Sequence, residues 1–213
     1  MNGLKTEKAI CLPKSGHLVS KRCFDIVCSL IGLLITSPIL LVVSVLIATT
    51  SPGGVLFRQE RIGLGGEPFT IYKFRSMRKD NAGLKITTDN DNRITPIGKV
   101  LRKTKLDELP QLWNVLKGDM SFVGPRPEVR EYTELYTPYQ RNIFLVRPGI
   151  TGLASIKFRN ENELLSQSSD PHRTYIEDIM LQKLALDMAY IPKASVWYDI
   201  KLIVQTLITV VRD

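Results

Sequence analysis

The feature that most limits what this chain can become is an uncharged run from Ile26 to Ala48, 23 residues long. A straight α-helix rising ~1.5 Å per residue would carry that run past the ~30 Å hydrocarbon core of a bilayer, so a membrane helix is expected here. The run continues through Leu40, Leu41, Val42 and Val43 with no small-residue cleavage site, unlike a secretory leader, and is expected to be retained. Ser37-Pro38 lies near its middle, where proline removes a backbone donor and crowds the preceding turn, which predicts a sharp bend. The Leu34 carbonyl loses its donor there, and the Ser37 hydroxyl is expected to bond the neighbouring Leu33 carbonyl. Lys5, Lys8, Lys14, Lys21 and Arg22 precede the run, while Arg58, Arg61, Lys73 and Arg75 follow it. The positive-inside tendency would then hold both ends in the cytoplasm, which slightly favours a helix that turns back at Ser37-Pro38 over a kinked crossing. Asp25, at the mouth of the run, reads as an interfacial cap or a partner for Arg22 before it reads as a proton relay.

Charge narrows the partners. Twenty-nine Lys and Arg against 21 Asp and Glu leave +8, which attracts phosphates, nucleotides or an anionic bilayer. No helix-turn-helix, zinc-finger or aromatic-plus-basic sheet pattern accompanies that charge, so nucleic acid is not expected as a partner. Cys11, Cys23 and Cys28 are odd in number and lack C-x-x-C spacing, which argues against a disulfide framework and for a reducing compartment. With only His17 and His172, soft ligands are too few for zinc, so a metal would be held by oxygens, as magnesium is.

The remainder reads as one compact unit, mostly helical with a small β-hairpin, an α/β chain in fold class. Segments 55–62 and 69–77 are aromatic and β-branched and flank Gly63-Leu64-Gly65-Gly66-Glu67-Pro68, which predicts two paired strands and a turn rather than a nucleotide loop. Segment 87–95 reads as a loop: Asp89, Asp91 and Asn92 hint at calcium, but Arg93 and Ile94 stand where a ligand and a glycine are needed. Thr95-Pro96 opens a helix with Ile97, Val100 and Leu101 on one face, and Leu112, Val115 and Leu116 mark a second that Gly118 closes. Segment 195–211 carries Ile200, Ile203, Val204, Leu207 and Val211 on one stripe with Trp197 and Tyr198 near its start, which suits an interfacial amphipathic helix or a core helix equally.

Four patterns bear on chemistry. Asp107-Glu108 stands after Arg102, Lys103 and Lys105 and just before Pro110, so the pair is expected to cap a helix N-terminus, and capping plus a solvated charge cluster is the bland reading. In Gly124-Pro125-Arg126-Pro127, two prolines stiffen the backbone around an arginine whose planar fork matches phosphate oxygens. Tyr72-Lys73-Phe74-Arg75 places cations between aromatics on a predicted strand, where an inward Lys73 would need an anion. Arg147-Pro148-Gly149-Ile150-Thr151-Gly152 pairs a cation with what reads as a plain turn. Two carboxylates among several cations suit phosphoryl transfer, where repulsion between anions is the obstacle; Asp107, with an ordinary pKa of ~3.9, is ionised at neutral pH and can serve as a nucleophile.

From about Ser20 onward the chain resembles the small monotopic bacterial sugar transferases, the polyprenyl-phosphate phosphoglycosyl transferases. The likeness rests on Lys21-Arg22, Ser37-Pro38, Phe57-Arg58-Gln59-Glu60-Arg61-Ile62-Gly63, Tyr72-Lys73-Phe74-Arg75-Ser76-Met77, Leu106-Asp107-Glu108-Leu109-Pro110-Gln111-Leu112, Asn114-Val115-Leu116-Lys117-Gly118-Asp119-Met120-Ser121 and Val123-Gly124-Pro125-Arg126-Pro127. The resemblance implies a basic segment at 1–20, a re-entrant helix at 21–50 broken at Ser37-Pro38, and a cytoplasmic catalytic domain at 51–213 ending in an interfacial helix. It implies that Asp107 attacks the β-phosphorus of a nucleotide diphosphate sugar, expected to be a UDP-sugar, and releases UMP. Polyprenyl (undecaprenyl) phosphate then collects the covalent phosphosugar, the first step of glycoconjugate or exopolysaccharide assembly. Glu108, with Asp107, would hold Mg2+, while Lys73, Arg102 and Arg126 grip phosphates and Pro125 and Pro127 shape the loop. The implied setting is the bacterial cytoplasmic membrane, among its lipids, with the catalytic domain on the cytoplasmic face and room for a homodimer. Two departures stand out. Ala154-Ser155-Ile156-Lys157-Phe158-Arg159-Asn160 replaces a Gln-Val-x-Gly-Arg-Asn type of run, and Lys105 replaces a small hydroxyl residue, which would pass capping to Thr104. Longer relatives place several membrane helices ahead of this region, so the chain looks like a minimal catalytic form. The competing classes are a membrane-anchored nucleotide- or lipid-binding protein without catalysis, and a transferase in which the lipid phosphate attacks directly.

Overall fold

A single helix, α1 (Ser15–Thr50), takes up the whole apolar run and passes through Pro38 without interruption. The computed structural model describes residues 15–78 and 92–212; Cys11, Lys5, Lys8, Lys14 and the aspartates of segment 87–91 lie outside them. The Ser37 hydroxyl donates to the Leu34 carbonyl at 2.8 Å, not to that of Leu33 as expected. Leu34 is the carbonyl that Pro38 deprives of its donor, so the serine repairs the orphan itself, reaching back three residues instead of four. Thr36 and Ser44 likewise bond carbonyls on the preceding turn, so the apolar helix keeps its own hydroxyls satisfied. Ile31, Leu34, Ile35, Leu41, Val42 and Val45 are exposed along α1, leaving an apolar face that no other part of the described chain covers.

The opposite face of α1 docks on the remaining elements through polar anchors. The Lys21 ammonium is buried against Asp199 and also donates to the Val123 carbonyl. Asp25 accepts from the Ser121 hydroxyl at 3.1 Å and the Phe122 amide at 3.2 Å. Its expected partner Arg22 turns elsewhere, donating to the Val115 and Leu116 carbonyls at 2.6 and 2.8 Å. A cation on carbonyls in the last turn of a helix suits the negative end of its dipole. Farther along, Val43 and Ile47 pack with Phe74 and Leu101 in one buried cluster.

Strands β1 (Leu56–Ile62) and β2 (Pro68–Phe74) form the predicted antiparallel hairpin, with Leu56 opposite Phe74 and Ile62 opposite Pro68. The turn between them is a single 3-10 turn, Leu64–Gly66, as its glycines suggest. β2 ends three residues before Met77, which instead bridges to Ile94. Helix α2 (Pro96–Lys103) starts as predicted, with the Thr95 side chain accepting the Gly98 amide; on the face shared by Ile97, Val100 and Leu101, Leu101 is buried and Val100 is exposed. A 3-10 turn, Leu106–Glu108, leads into α3 (Gln111–Lys117), which Gly118 closes at φ 104.

Beyond α3 the chain alternates short pieces: β3 (Ser121–Val123), α4 (Arg130–Thr133), a 3-10 segment (Gln140–Leu145), and β4 (Gly149–Thr151). There follow α5 (Leu153–Lys157), α6 (Glu161–Ser166), α7 (Pro171–Thr174), a π-helical turn (Tyr175–Ile179), α8 (Met180–Tyr190) and α9 (Val196–Arg212). The segment read as a plain turn is therefore a strand: β4 pairs in parallel with β3, Ser121 opposite Gly149 and Val123 opposite Thr151. Contact is close enough that a Cβ on Gly149 would lie 2.1 Å from the Gly124 amide nitrogen, so the position excludes a side chain. The main core lies between α8, the π turn and the 3-10 segment, around Tyr136, Ile143, Leu165, Ile179 and Leu184. Helix α9 buries Leu202 and Asp199, while Trp197, Val204, Leu207 and Ile208 stay exposed.

Candidate active site

Asp107 and Glu108 sit in the 3-10 turn ahead of α3, and they do not cap that helix: its N-cap is Pro110, with no side-chain bond. Thr104 does not take over the role either, because its hydroxyl donates back to the Val100 carbonyl at the end of α2. What fixes the turn is Lys105, the one non-glycine residue of positive φ (58°) among those described. A left-handed conformation at a side-chain-bearing residue costs of order 1 kcal/mol and tends to persist where the surroundings require it. Here it ends α2 abruptly and swings the two carboxylates toward the hairpin.

Glu108 is pinned. Its Oε1 accepts from Lys73 Nζ on β2 and from Arg126 Nη2 on the loop after β3, both at 2.8 Å. Burial alone would raise its pKa, but Arg126 and Lys73 outweigh that and hold the carboxyl well below the ordinary range. Burial lowers the pKa of Lys73, with Glu108 opposing, while the carboxylate raises that of Arg126. The outcome is a carboxylate that stays charged between two cations.

Asp107 has the opposite environment. It is buried, and its Oδ1 has no hydrogen-bond partner. Burial first and the Glu108 charge second push its pKa up, against the pull of Lys73, Lys105 and Arg102. A buried acceptor without a donor costs about 1–3 kcal/mol, which stability alone would not retain. The two adjacent carboxylates are thus driven apart: one is a fixed anion, the other an unsatisfied oxygen facing three cations.

All the residues singled out in sequence for this site come together around that turn. Lys73 and Arg126 touch Glu108 directly, and Arg102, half-buried on the last turn of α2, acts on Asp107 through space. Pro125 and Pro127 hold their loop through carbonyls: Pro125 accepts the Gly149 amide at 2.9 Å and Pro127 accepts Arg61 Nη1 at 3.1 Å. Arg147 is elsewhere, its Nε donating to the Gly118 carbonyl at 2.9 Å. Sequence reasoning gave no role in the site to Lys105, Arg61, Glu128, Lys183 or Asp187. Lys105 stood in plain view as the cation nearest the pair. For Asp187 the available signal was a lone carboxylate within the apolar stretch Leu184-Ala185-Leu186-Asp187-Met188.

As to a metal, no group of three or more His, Cys, Asp or Glu side chains is gathered among the described residues. Magnesium does not need one, since it commonly takes one or two carboxylates and fills its octahedron with water and substrate phosphate oxygens. Asp107 and Glu108, adjacent carboxylates in one turn, would be donors of that kind.

The profile of the family described as bacterial sugar transferase matches residues 16–213. A UDP-glucose:undecaprenyl-phosphate glucose-1-phosphate transferase of Klebsiella pneumoniae is 41% identical over 97% of this chain and 43% of its own length. A UDP-N-acetylgalactosamine-undecaprenyl-phosphate N-acetylgalactosaminephosphotransferase of Aeromonas hydrophila is 39% identical over 93% of this chain and 45% of its own length. An exopolysaccharide production protein, PSS, of Rhizobium leguminosarum bv. phaseoli is 41% identical over 90% of this chain and 95% of its own. The chain thus spans a little under half of the first two relatives and nearly all of the third.

Proposed function

The chain belongs to the bacterial sugar transferase family, and from that premise we propose that it is a phosphoglycosyl transferase moving a sugar 1-phosphate from a UDP-sugar to undecaprenyl phosphate at the cytoplasmic face of the bacterial membrane. The single observation carrying this reading is the Asp107 Oδ1, a buried anion-forming oxygen left without a donor beside a carboxylate already neutralised by Lys73 and Arg126. Oδ1 attacks the β-phosphorus, the bond from that phosphorus to the bridging oxygen breaks, and UMP leaves with the bond's electron pair. An oxygen of the lipid phosphate then attacks the same phosphorus in the aspartyl phosphosugar, which returns the Asp107 carboxylate and gives the lipid diphosphate sugar.

Both displacements pass through states in which negative charge gathers on phosphoryl oxygens. Preorganised cations are the main help for such a reaction, and Lys73, Arg102, Lys105 and Arg126 surround the pair. Glu108, fixed by two of them, sets their spacing and is the residue, with Asp107, that would hold magnesium, whose chemistry is to shield the diphosphate and the departing UMP. The re-entrant arrangement of α1 is part of the same proposal. Support comes from its docking on the catalytic elements at both ends and from its exposed apolar face between them.

The relatives named above act on different sugars, so the donor is to be found by screening UDP-sugars for UMP release from protein in nanodiscs. With the active donor, Asp107→Asn is expected to release no UMP above background while melting no lower than wild type, because the substitution removes a buried, unpaired charge. Intact mass spectrometry of wild type given donor alone should show one phosphosugar on the peptide bearing Asp107. Full turnover by Asp107→Asn, or sequential rather than ping-pong kinetics, would overturn the covalent route.

A further inference from the structure

Arg126 has to reach Glu108 from a loop of a few residues, and the groups that hold the loop are buried on its far side. We infer that Asp187 and Lys183, one turn apart on α8, are positioning residues that clamp the Pro125–Glu128 loop at two points and so aim Arg126. This rests on the reading of Arg126 as a group that grips the transferring phosphate.

The first point is the Arg126 backbone itself. Its amide donates to Asp187 Oδ2 at 3.4 Å. Asp187 is buried and also receives the Ala154 amide, so one carboxylate spans the loop and the start of α5. The second point is Glu128, two residues on. Lys183 Nζ lies 3.4 Å from Glu128 Oε1 and the Tyr175 hydroxyl donates to the same oxygen at 2.5 Å, while Arg61 holds Oε2 at 3.3 Å. Glu161 balances Lys183 from α6 at 3.0 Å. The backbone agrees with the side chains: the Ile62 amide bonds the Glu128 carbonyl at 3.0 Å, which ties the same residue to the hairpin.

Two features show that the approach is constructed. Gly152, between β4 and α5, has no room for a side chain: a Cβ there would lie 2.5 Å from the Gly124 carbonyl oxygen and 3.9 Å from Asp187 Oδ1. Any larger residue would push α5 and the loop apart at the point where Asp187 bridges them. The π turn at Tyr175–Ile179 is the second feature. Such bulges concentrate at functional sites, and this one carries the tyrosine whose hydroxyl meets Glu128 and Lys183. None of these groups touches Asp107 or Glu108, so their effect on the reaction has to pass through Arg126. Glu128 stays a carboxylate there: burial opposes its ionisation, but Lys183, Arg61 and the Tyr175 bond prevail.

The test is a double-mutant cycle with an independent structural readout. Asp187→Asn keeps the shape but offers a donor where two amides need acceptors. It is expected to lower kcat about tenfold, with KM for the UDP-sugar within about twofold, since misplacing a group that acts in the transition state costs rate before binding. In an Arg126→Ala background the same substitution should cost nothing further; an undiminished tenfold loss there would mean that Asp187 does not act through Arg126. Hydrogen exchange followed by mass spectrometry should show faster exchange across residues 121–128 in Asp187→Asn, a readout that does not depend on turnover. An inactive wild type would therefore sink the proposed reaction, whereas unchanged loop protection would sink the clamp. Should Asp187→Asn fail to fold, Tyr175→Phe keeps the ring and removes only the hydroxyl. Wild-type kcat and loop exchange in that variant would overturn the inference, and a loss confined to kcat with faster loop exchange would support it.

Discussion

Replacing Lys73 by methionine tests the electrostatics of the site most directly, because the two side chains differ little in length and the change removes one charge. Glu108 Oε1 holds two charge-assisted hydrogen bonds at 2.8 Å, and only one is lost. A buried carboxylate stripped of its sole partner costs about 3–5 kcal/mol. Here Arg126 stays on the same oxygen, so the cost should be nearer the ~1.5–3 kcal/mol of one bond to a charged group. At ~2–4 °C per kcal/mol for a chain of this size, the melting temperature should fall by about 3–12 °C. Turnover should fall further than stability, by ~10²–10³-fold, the usual effect of removing one preorganised group that stabilises developing charge. Lys73 also opposes the rise in the Asp107 pKa, so its removal must move the acid limb of the pH–rate profile toward higher pH. UMP release from nanodisc-held protein between pH 5 and 9, beside a thermal melt, reads all three. A variant that melts like wild type, works within about threefold of it and keeps the same acid limb would refute the idea that Lys73 holds Glu108 and polarises Asp107.

In wild type, burial and the Glu108 charge place the Asp107 carboxyl above the ordinary carboxylate range, and only its ionised form is a nucleophile. kcat/KM should therefore rise with pH through that raised value and fall away below it, with Glu108, held low, adding no second acid limb. Gly98→Ala should lower the melting temperature by several degrees, since its Cβ would fall 2.0 Å from the Ser76 carbonyl oxygen and force α2 off the segment that follows β2; overpacking of this kind costs ~1–3 kcal/mol or more. Chelating divalent cations should stop UMP release and added MgCl2 should restore it, with activity in EDTA counting against a carboxylate-bound metal.

The parts of this site that were legible in sequence are those whose signal is local. Pro96 after Thr95, Gly118 after Lys117, and two β-rich runs around Gly63–Pro68 each state a start, a stop or a turn within a few residues. Asp107-Glu108, Lys73 and the Pro-Arg-Pro loop were legible as chemistry because paired carboxylates and preformed cations are unusual away from ligands. What sequence did not disclose is set by partners far along the chain. Gly149–Thr151 is too short for an alternating pattern and becomes a strand only because Ser121–Val123 lies beside it. Lys21, counted among basic flanking residues, is consumed by Asp199 at the other end of the chain, so it contributes less to membrane sidedness than its charge suggests. Val100 obeyed the helical stripe and is exposed all the same, since periodicity states which residues share a face but not whether anything covers it.

The docking of α1 limits how it can meet a bilayer. Asp25 is tied to β3, and Ile47 packs with Phe74 of β2 and Leu101 of α2. A straight helix would rise ~33 Å between Asp25 and Ile47, about the full ~30 Å of the hydrocarbon core. If α1 crossed, one end would lie on the far side while still attached to elements of the same small unit. β3, β2 and α2 would then have to reach both faces, with charged Lys21, Asp25 and Asp199 drawn through lipid. A helix that entered and left by one face would meet no such conflict: its anchored ends would stay at the surface, and Leu34, Ile35, Leu41 and Val42 around Ser37-Pro38 would go deepest. Single cysteines at the exposed positions 17 and 60, in protein whose own cysteines are serine, decide between the two. With a membrane-impermeant maleimide, both should label in inverted vesicles and neither in right-side-out ones. Labelling of the two positions from opposite faces would establish a crossing and separate the site from its membrane anchor.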